Sequence, residues 1–107
     1  MLSYEISPAE AAQVLRENDA RLVDVRESWE FATTRIEGSL PMPMGEVATR
    51  AHKELEFDER LVIVCHRGVR SMSVTAWLRR QGFDKAQSLR GGIDAWSREV
   101  DPNVARY

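Results

Sequence analysis

Along this chain of 107 residues the spacing of apolar positions changes several times, and each change marks a boundary between elements. Residues 61–64, Leu-Val-Ile-Val, are a continuous run of branched apolar side chains, the pattern of a short strand covered on both faces. Residues 21–25, Arg-Leu-Val-Asp-Val, read as a second short strand, and residues 86–89, Ala-Gln-Ser-Leu, as a weaker third. Between them apolar positions recur at helical spacing. Ser7-Pro8-Ala9-Glu10 predicts a helix start, with Ser7 as cap, Pro8 at the first helical position and Glu10 closing a capping box. Ala12, Val14 and Leu15 then form its buried side, and Asn18-Asp19 ends it. Residues 27–34 predict a short helix with Trp29 and Phe31 partly buried, and residues 46–56 predict another. Residues 71–80 predict a helix that offers Met72, Trp77 and Leu78 to the core, stopped by Gly82. Gly91-Gly92 opens a last helix with Ile93, Ala95 and Trp96 turned inward. Two prolines and two glycines keep residues 38–45 extended, with Met42 and Met44 assigned to core packing. The tail, residues 101–107, either packs or frays.

Strands that alternate with helices predict an α/β fold: one domain over residues 1–107, built on an open, mostly parallel sheet with helices on both faces. The 61–64 strand would be central. Ligands of such sheets bind just past the carboxyl ends of the strands. The only cysteine of the chain, Cys65, stands there.

Charge sharpens that position. The net charge of −2 hides an asymmetry, because residues 1–64 carry 7 basic and 13 acidic side chains whereas residues 65–98 carry 7 basic and 2 acidic ones. The positive segment begins at the cysteine. Such a local field suits a small anion or an acidic partner. It is too modest, and too poor in interleaved aromatics, for nucleic acid. Arg79, Arg80 and Arg98 read as a solvated basic face. No stretch reaches the length of a membrane span, no signal peptide is expected from the opening residues, and one cysteine excludes an internal disulfide. The expectation is a reducing, cytoplasmic setting with no membrane partner. One cysteine with His52 and His66 does not make a zinc set, and GxxxxGK and GxGxxG are both absent. Neither a metal nor a cofactor is expected.

Residues 65–71, Cys-His-Arg-Gly-Val-Arg-Ser, run from a strand end into a helix start. Unpaired N–H groups at a helix N-terminus bind anions, and Gly68 lets the backbone curl. A cysteine at the base of that cradle, facing those N–H groups with Arg67 and Arg70 nearby, is expected to be an activated nucleophile. Inside the 61–64 run the same residue would read as an inert buried hydrophobe.

Four separated segments carry a resemblance. Residues 22–27 (LVDVRE, followed by Trp29-Glu30-Phe31), residues 36–43 (IEGSLPMP), the 65–71 loop, and residues 91–96 (GGIDAW) occur in the order and with the character found in single-domain rhodaneses, the sulfurtransferase family. The match spans nearly the whole chain. Thr34-Arg35 departs from it, standing where the family has Gly-His, and a local structural effect is expected. The resemblance implies a persulfide mechanism. Cys65 would take a sulfane sulfur from a small donor such as thiosulfate and pass it to cyanide or a thiol, or, as a sulfur-relay carrier, to a protein acceptor. His66, Arg67, Gly68, Val69, Arg70 and Ser71 would form the substrate-binding loop. His66 either hydrogen-bonds at the site or shapes its mouth. Arg67 and Arg70 orient the donor's oxyanion, the alternatives being a solvated side chain and a structural pin. Asp24 and Arg26 brace the structure. A related fold supports Cys-dependent phosphatases and arsenate reductases. Those place arginine one position further on, where this chain has Ser71. Rhodanese-like binding modules have lost the cysteine that this chain retains.

Overall fold

The computed structural model describes residues 1–107. Its elements follow the predicted alternation: β1 (Glu5–Ile6), α1 (Pro8–Arg16), β2 (Arg21–Asp24), α2 (Ser28–Thr33), β3 (Leu40–Pro41), a 3-10 turn (Met44–Glu46), α3 (Val47–Glu54), β4 (Leu61–Val64), α4 (Val69–Arg80), β5 (Ala86–Leu89) and α5 (Gly92–Glu99). The five strands form one sheet in the order β1-β5-β4-β2-β3, and every pairing is parallel. Leu61–Val64 is therefore the middle strand, as its unbroken apolar run requires.

Side chains alternate across a strand, so β4 supplies two cores. Leu61 and Ile63 point to one face, against Val47 and Ala51 of α3 and Val74 and Leu78 of α4. Val62 and Val64 point to the other, against Ala11, Ala12 and Val14 of α1 and Ile93 and Trp96 of α5. Helices cover both faces. No helix is long and apolar enough to cross a membrane.

Several local expectations are corrected. The two short strands β1 and β3 were not readable from pattern, because two residues give no period. The Ser7 hydroxyl does cap α1, accepting from the Glu10 N–H at 3.1 Å, but the Glu10 carboxylate turns to Arg60 instead of closing the box. The reciprocal box stands at α2, where the Glu27 N–H donates to the Glu30 carboxylate at 2.9 Å. Trp29 is 65% exposed and Met44 39% exposed. Trp29 follows the sheet's carboxyl edge on a six-residue helix that has only one buried residue, Glu30. Met44 lies in the turn just beyond β3, while Met42 fills the core. Helix α4 begins at Val69, two residues earlier than expected, which places its first turn against Cys65. The tail packs: Val104 is buried and its carbonyl accepts from the Ser97 hydroxyl.

Candidate active site

The central strand ends at Val64, and Cys65 is the next residue. Gly68, at φ +104°, reverses the chain so that α4 starts immediately behind the sulfur. No Gly68 side chain caps α4. The Cys65 sulfur takes that role, accepting from the N–H of Gly68 at 3.0 Å and of Ser71 at 3.2 Å. Two donors that a helix start leaves unpaired thus converge on one sulfur atom. The Ser71 hydroxyl lies 3.2 Å from the same sulfur and 2.7 Å from the Ser88 hydroxyl of β5. The thiol S–H can donate to Ser71. In the thiolate form the Ser71 hydroxyl turns to donate to sulfur, while Ser88 donates to Ser71. Cys65, Ser71 and Ser88 are all essentially buried, and low surrounding polarity strengthens each of these contacts.

The loop is held from beyond by α5. The Ile93 N–H donates to the Cys65 carbonyl at 2.8 Å and the Asp94 N–H to the His66 carbonyl at 3.1 Å. This contact explains Gly92: a Cβ there would fall 2.4 Å from the His66 oxygen. The Gly91-Gly92 pair, unremarkable as a motif, is what allows α5 to touch the loop.

The remaining loop residues take different positions. Arg67 and Val69 are exposed, Val69 by 79%. Ser71 is buried against the sulfur. His66 is half-buried, its ring stacked at 4.0 Å on Tyr107 with an angle of 14°, and its Nε2 lies 3.1 Å from the Tyr107 main-chain oxygen. Arg70 is gripped by Glu30 of α2, Nη1 to Oε1 at 2.7 Å and Nη2 to Oε2 at 2.9 Å. That bidentate pair holds the Glu30 carboxyl down to about 2 and raises the Arg70 guanidinium above its ordinary value.

Glu30, Tyr107 and Ser88 were missed from sequence. Glu30 had a local signal, since Glu27 and Glu30 stand at capping-box spacing. Ser88 and Tyr107 had none. Behind Glu30 lies a second ion pair. Arg26 Nη2 meets Asp24 Oδ2 at 2.7 Å, both side chains being almost completely buried. Arg26 also donates to the carbonyls of Glu30 and Thr34. Asp24 and Arg26 do brace the structure, and Thr34, one of the two departures from the family pattern, contributes through its backbone. The Tyr107 hydroxyl joins the two pairs. It donates to Glu30 Oε2 at 2.6 Å and accepts from Arg26 Nη1 at 3.2 Å. Burial pushes the Tyr107 phenol above its ordinary value, which keeps it a neutral donor.

Comparison with known proteins adds three findings. The model of the rhodanese-like domain family matches residues 7–99. Among curated proteins the chain is similar to the thiosulfate sulfurtransferase GlpE of Pseudomonas syringae, 38% identical over 96 residues and covering 90% of each chain. It is similar also to GlpE of Actinobacillus pleuropneumoniae, 30% identical over 103 residues, covering 96% of this chain and 94% of the relative. Among solved structures, a rhodanese-like domain protein from Staphylococcus aureus superposes with a TM-score of 0.81 at 28% identity, covering 98% of this chain and 99% of that one. A human single-domain sulfurtransferase gives a TM-score of 0.82 at 25% identity, covering 92% and 98%.

Proposed function

The chain belongs to the rhodanese-like domain family, and on that premise we propose that it is a sulfurtransferase working through a persulfide on Cys65. The observation that supports this most directly is the sulfur's surroundings: two backbone N–H donors and one hydroxyl within 3.2 Å of Sγ, at the end of a central parallel strand.

In the first step the Cys65 thiolate attacks the outer sulfur of a donor such as thiosulfate. The donor's S–S bond breaks, and sulfite leaves with the electron pair. The product is an anionic persulfide, stabilised by donors that are already in place and need no reorganisation. In the second step an acceptor, cyanide or a thiolate, attacks the outer sulfur and Cys65 leaves as thiolate. The scheme is a two-step exchange with a covalent intermediate. Arg67 at the mouth attracts the donor's anionic end. Arg70, with its Nε–H uncommitted by the Glu30 pair, adds positive potential behind it. The chain has one cysteine, so the acceptor must come from outside. The exposed Val69, Arg67 and Trp29 around the mouth suit a protein thiol as readily as a small one.

Phosphate chemistry is less well supported. A phosphatase loop would need its arginine at position 71, and Ser71 is buried against the sulfur with no cation in its place.

The test is the intact mass of reduced protein after thiosulfate, before and after cyanide, beside Cys65→Ala. The expected result is a gain of one sulfur atom on the wild type, reversed by cyanide and absent in the variant. Failure to gain sulfur from thiosulfate or any other sulfane donor would overturn the proposal.

A further inference from the structure

Tyr107 touches four residues around the candidate site, Arg26, Trp29, Glu30 and His66, although nothing in its neighbourhood in sequence points there. Its hydroxyl bridges Glu30 and Arg26. Its ring covers His66 face to face and meets the exposed Trp29 edge-on at 6.3 Å. The Arg26 guanidinium lies 5.6 Å from the ring centre. The segment leading to it is fixed: Val104 is buried in the α1–α5 core, and Arg106 pairs with Asp94 at 3.0 Å.

The consequence runs through Glu30. That carboxylate has two oxygens, and both already face Arg70. Its orientation is fixed only if something on the other side holds it. The Glu27 N–H holds Oε1, and Tyr107 holds Oε2. Without the phenol, Oε2 loses its second donor and the Glu30–Arg70 fork can rotate or open. Arg70 would then have to be reordered each time a donor anion binds, and ordering a long side chain weakens binding.

We propose that Tyr107 is a positioning residue for sulfur transfer, fixing Glu30 so that Arg70 is set in advance to receive the anionic donor. The inference depends on the sulfurtransferase reading. It predicts an effect on donor capture more than on the S–S exchange, because Tyr107 touches neither sulfur.

Tyr107→Phe keeps the ring on His66 and removes only the hydroxyl. The variant is expected to raise KM for thiosulfate about 3- to 10-fold while the maximal single-turnover rate of persulfide formation stays within about twofold. In a Glu30→Gln background, whose amide cannot reproduce the charged fork, the same substitution should leave KM unchanged, the signature of two residues acting through one path. A lowered melting temperature with unchanged KM would make Tyr107 merely structural and overturn the proposal. So would an equal rise in KM in both backgrounds. Should the Glu30→Gln protein fail to fold, Arg70→Lys, which cannot form the two-point fork, replaces it as the background. A wild type that forms no persulfide would defeat the sulfurtransferase reading itself, a result distinct from a persulfide-forming enzyme indifferent to Tyr107.

Discussion

Glu30 and Arg70, forty positions apart in the chain, form a two-point ion pair at 2.7 and 2.9 Å that ties α2 to the first turn of α4. Glu30 is nearly inaccessible, while a third of the Arg70 side chain faces solvent. The pair thus fixes the loop's cation from one side and leaves the other side open. Its strength lies in geometry, since a planar fork on a carboxylate loses less freedom than two flexible charges would.

Acid should expose this pair. The Arg70 hydrogen bonds hold the Glu30 carboxyl at about 2, below its ordinary 4.5. A depressed carboxylate contributes stability that is complete above the unfolded value and is lost as pH falls through the folded one. The wild type should therefore lose stability between about 4.5 and about 2. Glu30→Gln should be less stable at neutral pH by about 2 kcal/mol, a figure reduced for the solvent around Arg70, and flatter across that acid window. Urea titrations at a series of pH values measure both.

The Ser71 hydroxyl reaches the sulfur directly, and Ser88 reaches it only through Ser71. Ser71→Ala should slow sulfur transfer about 10-fold, less than the loss of a whole oxyanion donor because two N–H groups remain. Ser88→Ala should slow it only about 2- to 3-fold, as a partner of a partner. Single-turnover rates with thiosulfate distinguish the two, and equal effects would contradict the relay order.

Gly92→Ala places a methyl group 2.4 Å from the His66 carbonyl oxygen, which is backbone and cannot swing aside. Residue 92 also sits at φ +63°. The loop or α5 must move, and a loss of about 2–4 kcal/mol with collapse of sulfur transfer is expected. Gly45→Ala, where a methyl group meets nothing within 4 Å, should change stability by less than about 0.5 kcal/mol. Thermal melts beside the mass assay for persulfide compare them.

Arg67 makes no hydrogen bond or ion pair and is exposed. Arg67→Ala should leave the melting temperature unchanged and raise KM for thiosulfate about 2- to 5-fold at low ionic strength, the difference shrinking as salt screens the field. Kinetics at two salt concentrations test it. An effect independent of salt would mean a direct hydrogen bond to the donor rather than attraction from the mouth.

The sequence by itself determined the alternation of strands and helices, the middle place of Leu61–Val64, and the cysteine loop that leads from it into a helix. Those features are written locally: four apolar residues in a row need two cores, and Cys65, Gly68 and the start of α4 are near neighbours in the chain. Even the cap on α4 is local, three and six residues from the sulfur. What only tertiary structure decided is where distant residues meet. Glu30 carries a capping signal, but nothing nearby in sequence says that its carboxylate finds Arg70. Gly92 looks like a turn until α5 is laid against His66. Trp29 has a core-forming side chain, yet its short helix buries only Glu30, and Trp29 is left largely exposed beside the edge of Tyr107. Tyr107 belongs to no period and no motif; its place over His66 follows from the anchoring of Val104 and the reach of the chain beyond it. Local pattern encodes conformation because the backbone's few allowed shapes repeat over short distances. Partners across the fold are set by packing of the whole, which no single stretch contains.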